Sequence, residues 1–171
     1  MQDSSEATIA SELRSSTNVL MFIHFMMFIG VLAYLLFAWS RGLKVGGDNA
    51  TLPVASLSLA IVSLVMSFVI PALVRRSGGG AEPTTPQSLA STFVVAHIIA
   101  IALLEGAAFF AIFSLTNEDN PAPAWYWIVA VGLLVVMGLR FPVPGRLTNW
   151  VLGQMQDASF GSGSRRPDVR G

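Results

Sequence analysis

The chain has 171 residues, no cysteine, and 10 Lys and Arg balanced by 10 Asp and Glu. Charged residues make up 12% of it, against roughly 25% in a soluble globular domain, and 53% are hydrophobic, with a mean hydropathy of +0.64. Such a composition excludes a disordered chain and a disulfide scaffold, argues against a water-soluble domain, and leaves no basic footprint for nucleic acid.

A hydrocarbon core about 30 Å thick needs roughly 20 apolar residues as helix, and four segments meet or approach that length. Residues 19–39 carry no charge, with His24 as their one ionisable group. Residues 54–74 form the second span, and residues 89–115, with His97 and a single acid, Glu105, form the third. Residues 125–139 are short; they reach a full span if Arg140 snorkels and Trp125, Tyr126 and Trp127 sit in the interface. None of these runs alternates as a membrane strand would. The intervening loops are rich in glycine, proline and polar residues. The shortest, residues 116–123, makes the last two spans an antiparallel hairpin.

The flanks divide similarly. Residues 1–18 form an N-terminal segment in which residues 4–16 are expected as a short surface helix or a mobile stretch. Residues 140–160 place Leu147, Trp150, Val151 and Met155 on one helical face, the pattern of an interfacial amphipathic helix. Residues 161–171 are rich in Gly, Ser and Arg and read as a disordered tail. The expected fold is therefore all-α: a polytopic membrane protein, a four-transmembrane-helix bundle across residues 19–139 with a C-terminal interfacial amphipathic helix.

Orientation follows from counting basic residues by side. One side collects Arg14, Arg75, Arg76, Arg140, Arg146, Arg165, Arg166 and Arg170; the other holds only Arg41 and Lys44. Both termini are expected in the cytoplasm, with the chain in the cell (inner) membrane and the bilayer as its first partner. The acidic, polar residues before the first span argue against a cleaved signal peptide.

Helices associate in lipid through close packing and hydrogen bonds, so small and hydroxyl residues mark their contacts. Ser56, Ala60, Ser63 and Ser67 form one continuous face of the second span. The third offers Ala96 with Ala100, Ala102 with Gly106, and Ala107 with Ala111. Met21, Met26 and Met27 read as packing or lipid-facing side chains.

Glu105 needs an explanation of its own. It lies three residues, or about 4.5 Å of helix rise, from the midpoint of its span. A charge at that depth costs on the order of 2.5–3.5 kcal/mol. It is expected to face the bundle interior, within hydrogen-bonding reach of Ser63, the backbone near Gly132 or a buried water. There it would serve as a neutral carboxyl bridging helices or as an ion- or proton-handling group. His24 and His97 fall at comparable depth and are able to meet. They read first as packing histidines, since no cysteine or nearby carboxylate completes a metal site. No nucleophile elbow, zinc-protease helix or phosphate-cradling glycine loop is present, so enzyme function and cofactors are not expected. Superposing His24 on His97 also aligns Phe37-Ala38 with Phe110-Ala111, a faint sign of a duplicated hairpin.

The run Ala102-Leu103-Leu104-Glu105-Gly106-Ala107-Ala108-Phe109-Phe110 resembles the acid-bearing helix of rotor-ring proteolipids, the c subunits of rotary ATPases. That resemblance covers about 60 residues and departs in the second span, which lacks the glycine repeat of c-ring helices. More of the chain resembles small bacterial four-helix membrane proteins with an A-L-x-E-G run and an F-P segment, here Phe141-Pro142, ahead of a last amphipathic helix. Those proteins have no established activity, and the resemblance implies only Glu105 as a site. The expected function is structural or accessory, with self-association or an unknown membrane partner open. The alternative is proton or cation handling through Glu105.

Overall fold

The computed structural model describes residues 2–44, 46, 51–77, 85–117, 122–143 and 145–162. These form five α-helices: α1 (Gln2–Ser40), α2 (Thr51–Ser77), α3 (Pro86–Thr116), α4 (Trp127–Leu139) and α5 (Arg146–Ser162), with a 3-10 turn, Ala124–Tyr126, ahead of α4. Among the described residues there is no strand; extended pairing is limited to a bridge in which the Ala122 N–H donates to the Lys44 carbonyl and the Gly46 N–H donates to the Ala122 carbonyl. Leu13–Ser40 of α1, Thr51–Val74 of α2 and all of α3 are long and apolar enough to cross a membrane, and α4 is a shorter apolar helix. The described residues are thus all-helical, with three helices of membrane-spanning length and hydropathy.

Local chemistry sets the helix ends. Gly42, at φ +82°, takes the left-handed conformation that ends α1, and its N–H bonds back to the Trp39 carbonyl. Thr85 caps α3 by accepting from the Ser88 N–H at 3.3 Å, and Pro86 fills the first helical position, where no N–H is needed. The N-terminal segment departs from expectation. Instead of a separate surface helix, it is the first part of one continuous 39-residue α1. No proline or glycine interrupts the chain between Gln2 and Gly30, so nothing breaks the helix before the span begins.

α1 and α3 run one way and α2 and α4 the other. The order is read from contacts at both ends: His24 of α1 meets His97 of α3 and Met137 of α4, while Ser56 of α2 meets Ser114 of α3 and Tyr126. α3 is the central helix, packed on α2, α1 and α4. The main core runs along it, through Ile101, Leu104, Ala108 and Ile112, to Val31 of α1, Ala60 of α2 and Leu133 of α4. A second cluster gathers Leu13 and Leu20 of α1, Leu89, Ala90 and Phe93 of α3, and Leu147 and Val151 of α5. The outward faces of α1 and α2 are apolar, with Phe22, Leu36, Ile61 and Phe68 more than half exposed, as suits surfaces whose solvent is lipid.

The small-residue faces are resolved unequally. On α2, Ser56, Ala60, Ser63 and Ser67 are all buried, so the expected contact face is the real one. On α3, Ala96, Ala100, Ala107 and Ala111 are buried, but Ala102 and Gly106 are exposed. A Cβ on Gly106 would meet nothing within 4 Å. The close approach expected beside Glu105 at those two positions does not occur, because α2 packs on another side of the helix.

Tyr126 is also corrected. It was expected at the interface with Trp125 and Trp127, and those two indoles are indeed exposed, but Tyr126 is fully buried. In a 3-10 turn successive side chains point about 120° apart, so the middle of three aromatics turns inward when its neighbours face out.

Candidate functional site

Apart from Ser63, midway along α2, the buried polar side chains among the described residues lie at the two ends of the bundle. At the end where α1 enters, His24 is 1% exposed, and its Nε2 lies 3.0 Å from the Met137 carbonyl. That oxygen only accepts, so Nε2 of His24 carries the hydrogen and donates it. In the neutral tautomer with that hydrogen, Nδ1 is an acceptor for Nε2–H of His97, 3.0 Å away. Met137 is in the last turn of α4, where carbonyls lack helical partners. Its oxygen also receives the Arg140 N–H at 3.2 Å. The histidines expected to share a depth thus form one chain joining α3, α1 and the C-terminal end of α4. Phe141 packs edge-on against His24 with ring centroids 5.0 Å apart, and Phe93 stacks on His97 at 6.4 Å. Among the described residues no third histidine or acid joins the pair.

Arg140 does not extend away from the bundle as expected for snorkelling. It turns sideways onto α2, where Nη1 donates to the Ser67 carbonyl at 2.8 Å and the guanidinium lies over the Phe68 ring, 3.7 Å from its centroid. Proline explains the geometry. Pro71 lies four residues beyond Ser67 inside α2 and has no N–H, so the Ser67 carbonyl loses its helical donor. Arg140 supplies the replacement, since a carbonyl left bare within a membrane is costly. Beside this contact is a cavity of about 240 Å³, bounded by α2, α3, the end of α4 and the start of α5. His97, Arg140 and Arg146 bring the polar chemistry to it; Phe68, Phe93 and Pro142 are among its apolar walls.

At the other end, Ser56 is hydrogen-bonded to the Tyr126 hydroxyl, receives a bond from Ser114 Oγ at 3.1 Å, and donates to the Pro53 carbonyl at 3.1 Å. All three side chains of this cluster are fully buried.

Glu105 belongs to neither end. Its side chain is half-buried at the seam between α3 and α1, where a Cβ added to Gly30 would lie 3.9 Å from its Oε1 and 3.9 Å from Phe109 Cζ. Among the described residues it makes no hydrogen bond or ion pair. Ser63, 4% exposed, belongs to the α2 face packed on α3, and the expected Glu105–Ser63 contact is not formed. Eight residues on one helix separate His97 from Glu105 by about 12 Å, so acid and histidines are separate groups.

Arg140, Arg146, Tyr126 and Ser114 went unread in the sequence as site residues. One signal pointed to Arg140: a proline inside a span announces a carbonyl four residues earlier that needs a donor, and Arg140 is the basic residue that closes the other span running in the same direction. Nothing in spacing alone singled out the other three.

Fold and buried polar groups together define a helical bundle, three of whose helices are long and apolar enough to cross a membrane, tied at both ends by hydrogen bonds. Comparison with family models, curated proteins and solved structures finds no match.

Proposed function

We propose that the chain is a multi-pass cell-membrane protein of four spans with a structural or accessory role and no chemistry of its own. The observation that carries this is the use made of buried polar groups. The His24–His97–Met137 chain, Arg140 on Ser67 and the Ser56–Ser114–Tyr126 cluster each join two or more elements of the bundle. The fourth span is α4, whose thirteen residues give about 20 Å of helix, extended by the 3-10 turn and by Trp125 and Trp127 at the interface. Arg14, Arg76, Arg140 and Arg146 gather at one end and Arg41 and Lys44 at the other, so the positive-inside rule puts both termini in the cytoplasm. α5 then lies at the cytoplasmic surface with Leu147 and Val151 turned onto the bundle. Reporter fusions after Thr85 and Gly171 should read cytoplasmic and one after Asp119 external; a cytoplasmic signal at Asp119 overturns this arrangement.

A second reading, proton or cation handling, is favoured by one observation: the Glu105 carboxyl is half-buried near the middle of α3 with no hydrogen-bonding partner among the described residues. A helix-bridging acid would have one. Glu105→Gln keeps shape and removes ionisation. Loss of ion flux in proteoliposomes with folding intact supports the titrating role. Unchanged flux and fold leave the structural role.

A further inference from the structure

We propose that the cavity between α2, α3 and the α4–α5 junction is a binding site for a phosphate group, supplied by the headgroup of an anionic phospholipid. This rests on the chain spanning a membrane with its basic end at the cytoplasmic leaflet.

Three features of the cavity carry the inference. The first is charge. Arg140 and Arg146 both line it, His97 adds a third nitrogen-bearing group, and among the described residues no acid lines it. Two guanidinium groups and no carboxylate make a wall suited to an anion, and guanidinium is the side chain best shaped for phosphate oxygens. The second is preorganisation. The Ser67 carbonyl and the Phe68 ring hold the Arg140 guanidinium in place, so little side-chain freedom remains to be lost on binding. His97 is likewise fixed through His24.

The third feature favours a lipid over a soluble phosphate. The side chains on the lining include Leu139 and Phe68, 80% and 59% exposed, beside the apolar outer face of α2. A free phosphate gains nothing from that rim, whereas a phospholipid places its glycerol and acyl carbons there. Basic pockets between spans on the cytoplasmic side suit such headgroups, because that leaflet is rich in anionic lipid.

The test uses the full chain in phosphatidylcholine vesicles containing a minor share of phosphatidylglycerol. After flotation, the protein is extracted in mild detergent and its retained lipid is measured by native mass spectrometry. The expected result is retention of phosphatidylglycerol over phosphatidylcholine. The preference should fall about tenfold in Arg146→Gln and in Arg140→Gln, the scale of one charge-assisted hydrogen bond, and be unchanged in Arg41→Gln at the opposite end. Arg146 is exposed, so its variant should keep the helical content of the parent even if Arg140→Gln loosens α2. A parallel arm titrates inorganic phosphate into phosphatidylcholine vesicles and follows tryptophan emission, since Trp150 packs on Phe93 of the cavity wall. A saturable response that depends on both arginines, without any lipid preference, keeps the phosphate site and overturns the lipid as its source. No preference and no phosphate response, or a preference indifferent to both arginines, overturns the site while leaving the membrane reading intact. A chain that fails to float with the vesicles overturns both.

Discussion

Replacing His24 with alanine is the sharpest perturbation of the bundle. The imidazole is 1% exposed, bonded at 3.0 Å to both His97 and the Met137 carbonyl, and packed on Phe141. Hydrogen bonds between membrane helices average about 0.6 kcal/mol, so the two together contribute about 1 kcal/mol. The Met137 oxygen keeps the Arg140 N–H, which limits the penalty of stranding it. Truncating a buried side chain of this size adds the larger share, since cavity-forming substitutions cost about 2–5 kcal/mol. His24→Ala should therefore destabilise by about 3 kcal/mol, roughly a hundredfold in the folding equilibrium. His24→Phe, which keeps an aromatic ring but loses both bonds, should cost about 1 kcal/mol. Reversible unfolding in mixed detergent micelles, followed by circular dichroism, measures both. A double-mutant cycle with His97→Ala should show coupling of about 0.6 kcal/mol and at most about 1.7. Stability of His24→Ala within about 0.5 kcal/mol of the parent, or zero coupling, would refute the chain of bonds as drawn.

The same unfolding measurement tests the rest of the bundle. Tyr126→Phe removes only the hydroxyl bonded to Ser56, which retains Ser114 and the Pro53 carbonyl, so the cost should be about 1 kcal/mol; no change would mean that the Ser56–Ser114–Tyr126 cluster does not hold α2 to the 3-10 turn. Ala60→Leu, at a position 5% exposed, should cost about 1–3 kcal/mol by overpacking. Ala102→Leu on the exposed side of α3 should stay within about 0.5 kcal/mol of the parent, and equal costs would contradict the packing of α2 against α3.

Elements governed by length and local chemistry were legible before any coordinates. Helices α1, α2 and α3 follow from apolar runs bounded by turn residues, and the buried face of α2 follows from Ser56, Ala60, Ser63 and Ser67, which recur at three- and four-residue spacing along one side. The histidine pair was within reach because equal depth on two parallel helices narrows the search to rotation. Other features depend on which neighbour covers which arc of a helix, and sequence is silent on that. α3 carries three pairs of small residues at four-residue spacing: Ala96–Ala100 and Ala107–Ala111 fall on one face, which neighbouring helices bury, and Ala102–Gly106 falls on the opposite side and stays exposed. Tyr126 between two tryptophans likewise offered no local sign of turning inward, since all three rings suit an interface and only the tight turn separates their directions.

That geometry also fixes how far Glu105 and the histidines act on each other. Glu105 lies on the edge of the uncovered arc of α3, beside Gly30, about two turns beyond His97. The two sites are roughly 12 Å apart along the helix and share no hydrogen-bonding partner among the described residues. Substitutions separated by more than 7–10 Å without a common partner add to within about 0.3–0.5 kcal/mol. Glu105→Gln combined with His24→Ala should therefore cost the sum of the two single changes, and Glu105→Gln should leave the His24–His97 coupling unaltered. Non-additivity above about 0.5 kcal/mol would mean that α1 transmits strain between Gly30 and His24, six residues apart on one helix. Glu105 and the histidine pair would then be parts of one coupled system, and a titrating Glu105 would draw the basic end of the bundle into its cycle.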